Sequence, residues 1–176
     1  MNDPIAILKR DHREAAALLK TLANGKPSAT RRKTNAKLVA ALTLHMSIEE
    51  TLVYPLVARR VDKEEAHEGT IEHGLARDGL TKMSELVDEP GYGAAVAMVT
   101  AGIKHHVKEE ETEIFPAVSS EKDELDALGQ EMSSRKEELV EELGLANDED
   151  DEDEEGAEAS NARGKSGSRE STQRGR

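Results

Sequence analysis

His45-Met46-Ser47-Ile48-Glu49-Glu50-Thr51-Leu52-Val53-Tyr54-Pro55 returns, 61 positions later, as His106-Val107-Lys108-Glu109-Glu110-Glu111-Thr112-Glu113-Ile114-Phe115-Pro116. The same offset of 61 carries His12 onto His73 and Asp11 onto Glu72. A fixed period of this kind marks a duplicated supersecondary unit. Here the unit is an acidic residue and a histidine on one helix, then H-x-x-x-E-E-x-x-[VI]-[YF]-P on the next. Two copies of such an αα-hairpin make four antiparallel rods in up-down-up-down order.

The flanking sequence supplies the rods. Ile5, Leu8, Ala15, Leu18, Leu19 and Leu22 recur at helical spacing behind Asp3 as N-cap and Pro4 in the first turn, and Asn24-Gly25 ends the run. A second helix starts near Ser28 to Thr30 and follows Leu38, Leu42, His45, Ile48, Leu52 and Leu56, with Pro55 expected to kink or loosen its last turn. A third runs from about Asp62 to Val87 and closes at Glu89-Pro90-Gly91; a fourth spans roughly Tyr92 to Val118, with Pro116 near its end. Leu125, Leu128, Met132, Leu139 and Val140 predict a shorter fifth helix near 122–142. The sequence thus reads as one bundle domain over 1–144 and a disordered tail over 145–176.

Composition agrees with an all-α class. Hydrophobic residues are 36% and aromatics 2%, so the core is built from Ala, Leu, Val, Ile and Met, which suit helices. The chain has no cysteine, which excludes disulfides, thiolate zinc and cysteine-ligated iron–sulfur clusters. A net charge of −13 argues against a nucleic-acid-binding body. The N-terminus lacks a basic region before an apolar stretch, and no window nears the roughly 18 apolar residues of a membrane span. A cytoplasmic protein is expected.

The repeat also carries chemistry. Residues i and i+4 share a helix face, so His45 with Glu49 and His106 with Glu110 each aim two ligands at one point. His12 and His73 arrive from the other two helices, which makes six protein ligands around the bundle axis, with two carboxylates able to bridge two ions. Four buried histidines and two buried glutamates would be costly without a shared partner, and a metal supplies one. Imidazole and carboxylate without thiolate suit iron, manganese or zinc, and a bridged pair in a helical bundle favours two irons, joined by carboxylates and an oxo, hydroxo or water bridge. Six ligands leave coordination positions open on two octahedral ions.

These residues resemble the hemerythrin-like HHE cation-binding domain: a lone His, His-x-x-x-Glu, a second lone His and a second His-x-x-x-Glu, over about residues 1–119. The resemblance implies terminal ligands at His12, His45, His73 and His106 and bridging carboxylates at Glu49 and Glu110. Oxygen-carrying hemerythrins add a further histidine one turn along the third helix, where this chain has Gly69 and Arg77 on either side of His73. The site therefore looks symmetric, and reversible oxygen carriage is not implied. A binding module or sensor for oxygen, peroxide, nitric oxide or iron in stress response is the first reading. A catalase-like enzyme is the second, and a structural metal bundle with a partner-binding tail the third.

Other residues are read more plainly. Asp11 and Glu72 stand one residue, about 100°, from the lone histidines. They are taken as solvated charges, with a supporting role for the metal ligands as the alternative, and Glu50 and Glu111 are read in the same way. Tyr54 and Phe115 are assigned to packing, and His67 and His105 to the surface. The acidic run Asp148 to Glu155 and the basic end from Arg163 to Arg176 are read as a solubilising tail, with a tail partner as the alternative. Gly164-Lys165-Ser166 is no phosphate loop, since neither the earlier glycine nor a preceding strand is present.

Overall fold

A computed structural model of the chain describes residues 3–25 and 27–142. The tail read above as disordered, and the boundary at 144, lie outside the described residues. Asp3 caps α1 (Pro4–Ala23), its carboxylate accepting from the backbone N–H of Ile5 at 3.0 Å and Ala6 at 3.3 Å, while Pro4 has no N–H to satisfy. After Pro27 come α2 (Ser28–Ile48), a π turn (Glu49–Val53) and α3 (Tyr54–Arg60), which together form the second rod. Asp62 caps α4 (Lys63–Glu85), and Gly91, at φ 99°, makes the left-handed turn into α5 (Tyr92–Glu109). The fourth rod continues through a second π turn (Glu110–Ile114) into α6 (Phe115–Val118). The fifth helix, α7 (Lys122–Glu142), has 21 residues, as many as α2.

The two prolines loosen their helices in the same way. Pro55 and Pro116 have no N–H to return to the carbonyl four residues back. Ahead of each, the helix widens by one residue, so that Tyr54 N–H reaches the Glu49 carbonyl and Phe115 N–H the Glu110 carbonyl. Both π turns begin on a glutamate of the repeat. Widened turns of this kind recur at functional sites because they re-aim a side chain without ending the helix.

The rods pack as a ring, α1 on α2, α2 on α4, α4 on α5 and α5 on α1, with α7 laid over α1, α2 and the first π turn. Two apolar clusters fill the bundle. One, at the π-turn end, gathers Leu8, Ile48, Val53, Leu56, Val57, Phe115 and, from α7, Met132. The other gathers Leu19, Leu38, Leu42, Met46, Leu80, Met83, Val96 and Ile103. A fully buried leucine such as Leu8 or Leu38 contributes about 1.5–3 kcal/mol over an exposed one. Each lone histidine, and each repeat histidine with its glutamate, falls on its helix between members of the two clusters, so dry layers bracket a polar belt.

Candidate metal centre

All six residues of the repeated pattern are buried, Glu49 at 0% and Glu110 at 1% exposure. They meet in the belt. Glu49 Oε2 lies 3.1 Å from His45 Nε2 and 3.3 Å from His73 Nε2. Glu110 Oε2 lies 3.1 Å from His12 Nε2 and 3.5 Å from His106 Nε2. Each carboxylate therefore spans from one histidine pair to the other. Within the pairs, His12 Nε2 faces His45 Nε2 at 3.2 Å, and His73 Nε2 faces His106 Nε2 at 3.1 Å.

Carboxylates fix the tautomers. Glu111 accepts from His12 Nδ1 at 2.9 Å, Glu50 from His73 Nδ1 at 3.0 Å, and Glu72 from His106 Nδ1 at 2.8 Å. The fourth member of this set, Asp11, stands 3.8 Å from His45 Nδ1. A histidine donating from Nδ1 presents a lone pair at Nε2, so the belt aims lone pairs at common points. The residues read from sequence as solvated charges thus bear directly on the histidines. The supporting role that stood as the alternative reading is the one the structure favours: Asp11 and Glu72 are turned away from the histidine beside them, and each of the four carboxylates meets the histidine of a neighbouring helix.

The charge balance points the same way. Burial opposes charge on His45, but Glu49 beside it, helped by Asp11 and Glu110, outweighs this and holds its pKa up at about 10. Burial likewise resists ionisation of Glu49, and the adjoining His45 and His73 nevertheless hold it well below the usual carboxylate range. His12 is raised too: burial works against it, and Glu110 prevails. In the metal-free chain, protons supply the positive charge that the two carboxylates demand. A raised histidine contributes stability that is complete below its ordinary 6.5 and fades as pH climbs through about 10, and Glu49 contributes above its ordinary 4.5. Metal-free protein should therefore melt highest between about 4.5 and 6.5 and progressively lower towards pH 10, as a calorimetric series across that range would read.

Tyr54 is more than packing. Its buried hydroxyl donates to Glu110 Oε1 at 3.2 Å and stands 3.2 Å from His73 Nε2. Burial, reinforced by the Glu49 and Glu110 carboxylates, pushes its pKa far above the ordinary tyrosine value, so the phenol keeps its proton. The hydroxyl fills the space beside Gly69, where a Cβ would come within 2.6 Å of it. The counterpart Phe115 stacks on His12 as Tyr54 does on His73, with ring centroids 5.8 and 5.3 Å apart, but brings no hydroxyl. Arg77, the other position one turn from His73, forks onto Glu50 at 2.8 and 2.9 Å. The site that looks symmetric in sequence is thus asymmetric in its surroundings. His67 and His105 are exposed, as expected.

The family model of the hemerythrin HHE cation-binding domain matches residues 3–118. The chain belongs to that family. No curated protein and no solved structure matched the chain. The match takes in all six belt residues and ends before α7. A cation fits the HHE belt on the structure's own terms. Both Glu49 oxygens, Glu110 Oε2 and His45 Nδ1 are buried without a hydrogen-bond partner among the described residues, although nitrogens approach those oxygens closely. Buried polar atoms in native folds are satisfied, and orphans of this kind facing converging lone pairs call for a positive centre. Two overlapping groups meet that need: His12, His45, Glu49 and Glu110, and Glu49, His73 and His106. Among the described residues no helix is long and apolar enough to cross a membrane.

Proposed function

We propose that the HHE domain holds two irons, one at each histidine pair, with Glu49 and Glu110 between them, and uses the centre to bind oxygen, nitric oxide or peroxide. The observation that carries this reading is the convergence of four Nε2 atoms on two carboxylates that each span both pairs. Nitrogen and oxygen ligands without sulfur suit iron, and two carboxylates shared between positions suit a pair of ions more than a single zinc. Bound iron would supply open coordination positions and a change of oxidation state. The chain supplies the enclosure: a void of about 10 Å³ lies against all four histidines, walled by Ala15, Leu42, Met46, Ile103 and Val107. That void is the space the ions themselves would take, and its apolar walls shield them from bulk water. The reading places the protein in the cytoplasm, in iron sensing or in the response to oxidative or nitrosative stress.

Elemental analysis with absorption spectroscopy tests it. The expected result is about two irons per chain, with near-ultraviolet charge-transfer bands that change on adding nitric oxide, oxygen or peroxide. Zinc alone, or bands indifferent to all three ligands, would reject it. Oxygen evolution from added peroxide, abolished by His106→Ala, would make the centre a catalase-like enzyme rather than a sensor.

A further inference from the structure

Four carboxylates back the four histidines, and one of them stands apart. Glu111, Glu50 and Glu72 accept Nδ1 hydrogen bonds at 2.8 to 3.0 Å, whereas Asp11 stays 3.8 Å away, leaving His45 Nδ1 buried with no hydrogen-bond partner among the described residues. Arg10 touches Asp11 only at Oδ1, at 3.5 Å, and two features hold back Oδ2, the oxygen that faces His45. Asp11 is one methylene shorter than Glu72, its counterpart in the repeat, and Lys136 of α7 grips it at 2.7 Å. Lys136 lies beyond residue 118, where the family match ends, on a helix seated over α1 and α2 by Leu128, Met132 and Leu139. Glu50 also bears a cation, Arg77, yet still reaches His73, so a cationic partner alone does not break such a bond.

We propose that α7 is part of the metal centre: through Lys136 it holds Asp11 off His45 and makes the His12/His45 position the weaker, more exchangeable of two metal positions. The proposal rests on the two-metal reading above. A carboxylate accepting the far N–H of a ligating imidazole raises its basicity and fixes its ring, and losing such a partner typically costs 10–100-fold in metal affinity. His45 alone lacks that support, while both histidines of the other pair have it. The His73/His106 position should therefore fill first and the His12/His45 position second.

Cobalt(II), titrated into metal-free full-length protein and followed by its visible bands, reads this directly. Wild type should bind two equivalents in steps separated by about 10–100-fold in affinity. In Lys136→Met, Asp11 is released to His45, and in Asp11→Glu the longer side chain reaches it. Each should tighten the second step towards the first and leave the first unmoved, while Lys136→Arg keeps the two steps apart. A purely structural salt bridge would instead lower the melting temperature without changing the spacing of the steps. Equal steps in wild type, or spacing unchanged in both Lys136→Met and Asp11→Glu, would overturn the proposal. Absence of cobalt binding, or binding that survives Glu49→Met with Glu110→Met, would overturn the two-metal reading itself and this proposal with it.

Discussion

Glu49→Met combined with Glu110→Met should weaken the binding of both metals by at least about 100-fold and also lower the melting temperature of the metal-free protein at pH 7. Outer partners of a metal ligand are already worth 10–100-fold, so removing both shared carboxylates should weaken each position by at least about 100-fold. The metal-free protein loses stability as well. In the metal-free chain these carboxylates are almost wholly buried, and three of their four oxygens lack a hydrogen-bond partner. They persist only by drawing protons onto His12 and His45. Removing one side of a buried ion pair commonly costs about 3–5 kcal/mol, because the partner left behind has lost what it was paired with. Methionine, unbranched and flexible, fills the vacated space between the apolar clusters, and the histidines limit the loss by returning to neutrality, though their Nε2 atoms no longer meet a carboxylate. Thermal melts of both metal-free proteins at pH 7, beside metal content after reconstitution, supply the measurement. A metal-free variant melting as high as its parent would mean that the carboxylates serve the metals alone.

Sequence alone disclosed the belt because ligand chemistry and helical period act on the same positions. An offset of 61 that preserves His12, His45 and Glu49 together also preserves the face they share. Pro55 was expected to loosen its turn, and the structure adds that Pro116 does the same and that each widening begins on a glutamate of the belt. The carboxylates behind the histidines were obscured because their partners sit on other helices, and nothing in one helix's periodicity reports a neighbour's rotation. Yet Asp11 with Glu72, and Glu50 with Glu111, obey the offset, and that was the available signal. The seat of α7 was written in the places where the repeat fails. Leu44, Ile48 and Leu52 pack in the cluster that α7 completes, whereas their counterparts His105, Glu109 and Glu113 are exposed or half-buried. An apolar stripe in one copy and a charged stripe in the other is what a helix covering only one half requires.

Gly69→Ala and Gly74→Ala should have opposite effects although both add one methyl group to the same helix. Gly74 faces open space, with no heavy atom near a built Cβ, and lies inside α4. Alanine there removes backbone freedom from the unfolded chain and restores helix propensity, for a gain of about 0.5–1 kcal/mol. At Gly69 a Cβ would stand 2.6 Å from Tyr54 Oη, 2.7 Å from Cζ and 3.0 Å from Cε2. The ring has little room to retreat, being 4% exposed, stacked on His73 at 5.3 Å and tied through its hydroxyl to Glu110. Overpacking of this kind costs about 1–3 kcal/mol, and the ring can yield only by leaving Glu110 and His73. Calorimetry should therefore show Gly69→Ala melting several degrees below wild type and Gly74→Ala slightly above it. Tyr54→Phe in the Gly69→Ala background should recover only part of the loss, because Cζ stays while Oη goes. Gly69→Ala as stable as wild type would mean that the phenol is free to move and that the glycine does not hold it in the belt.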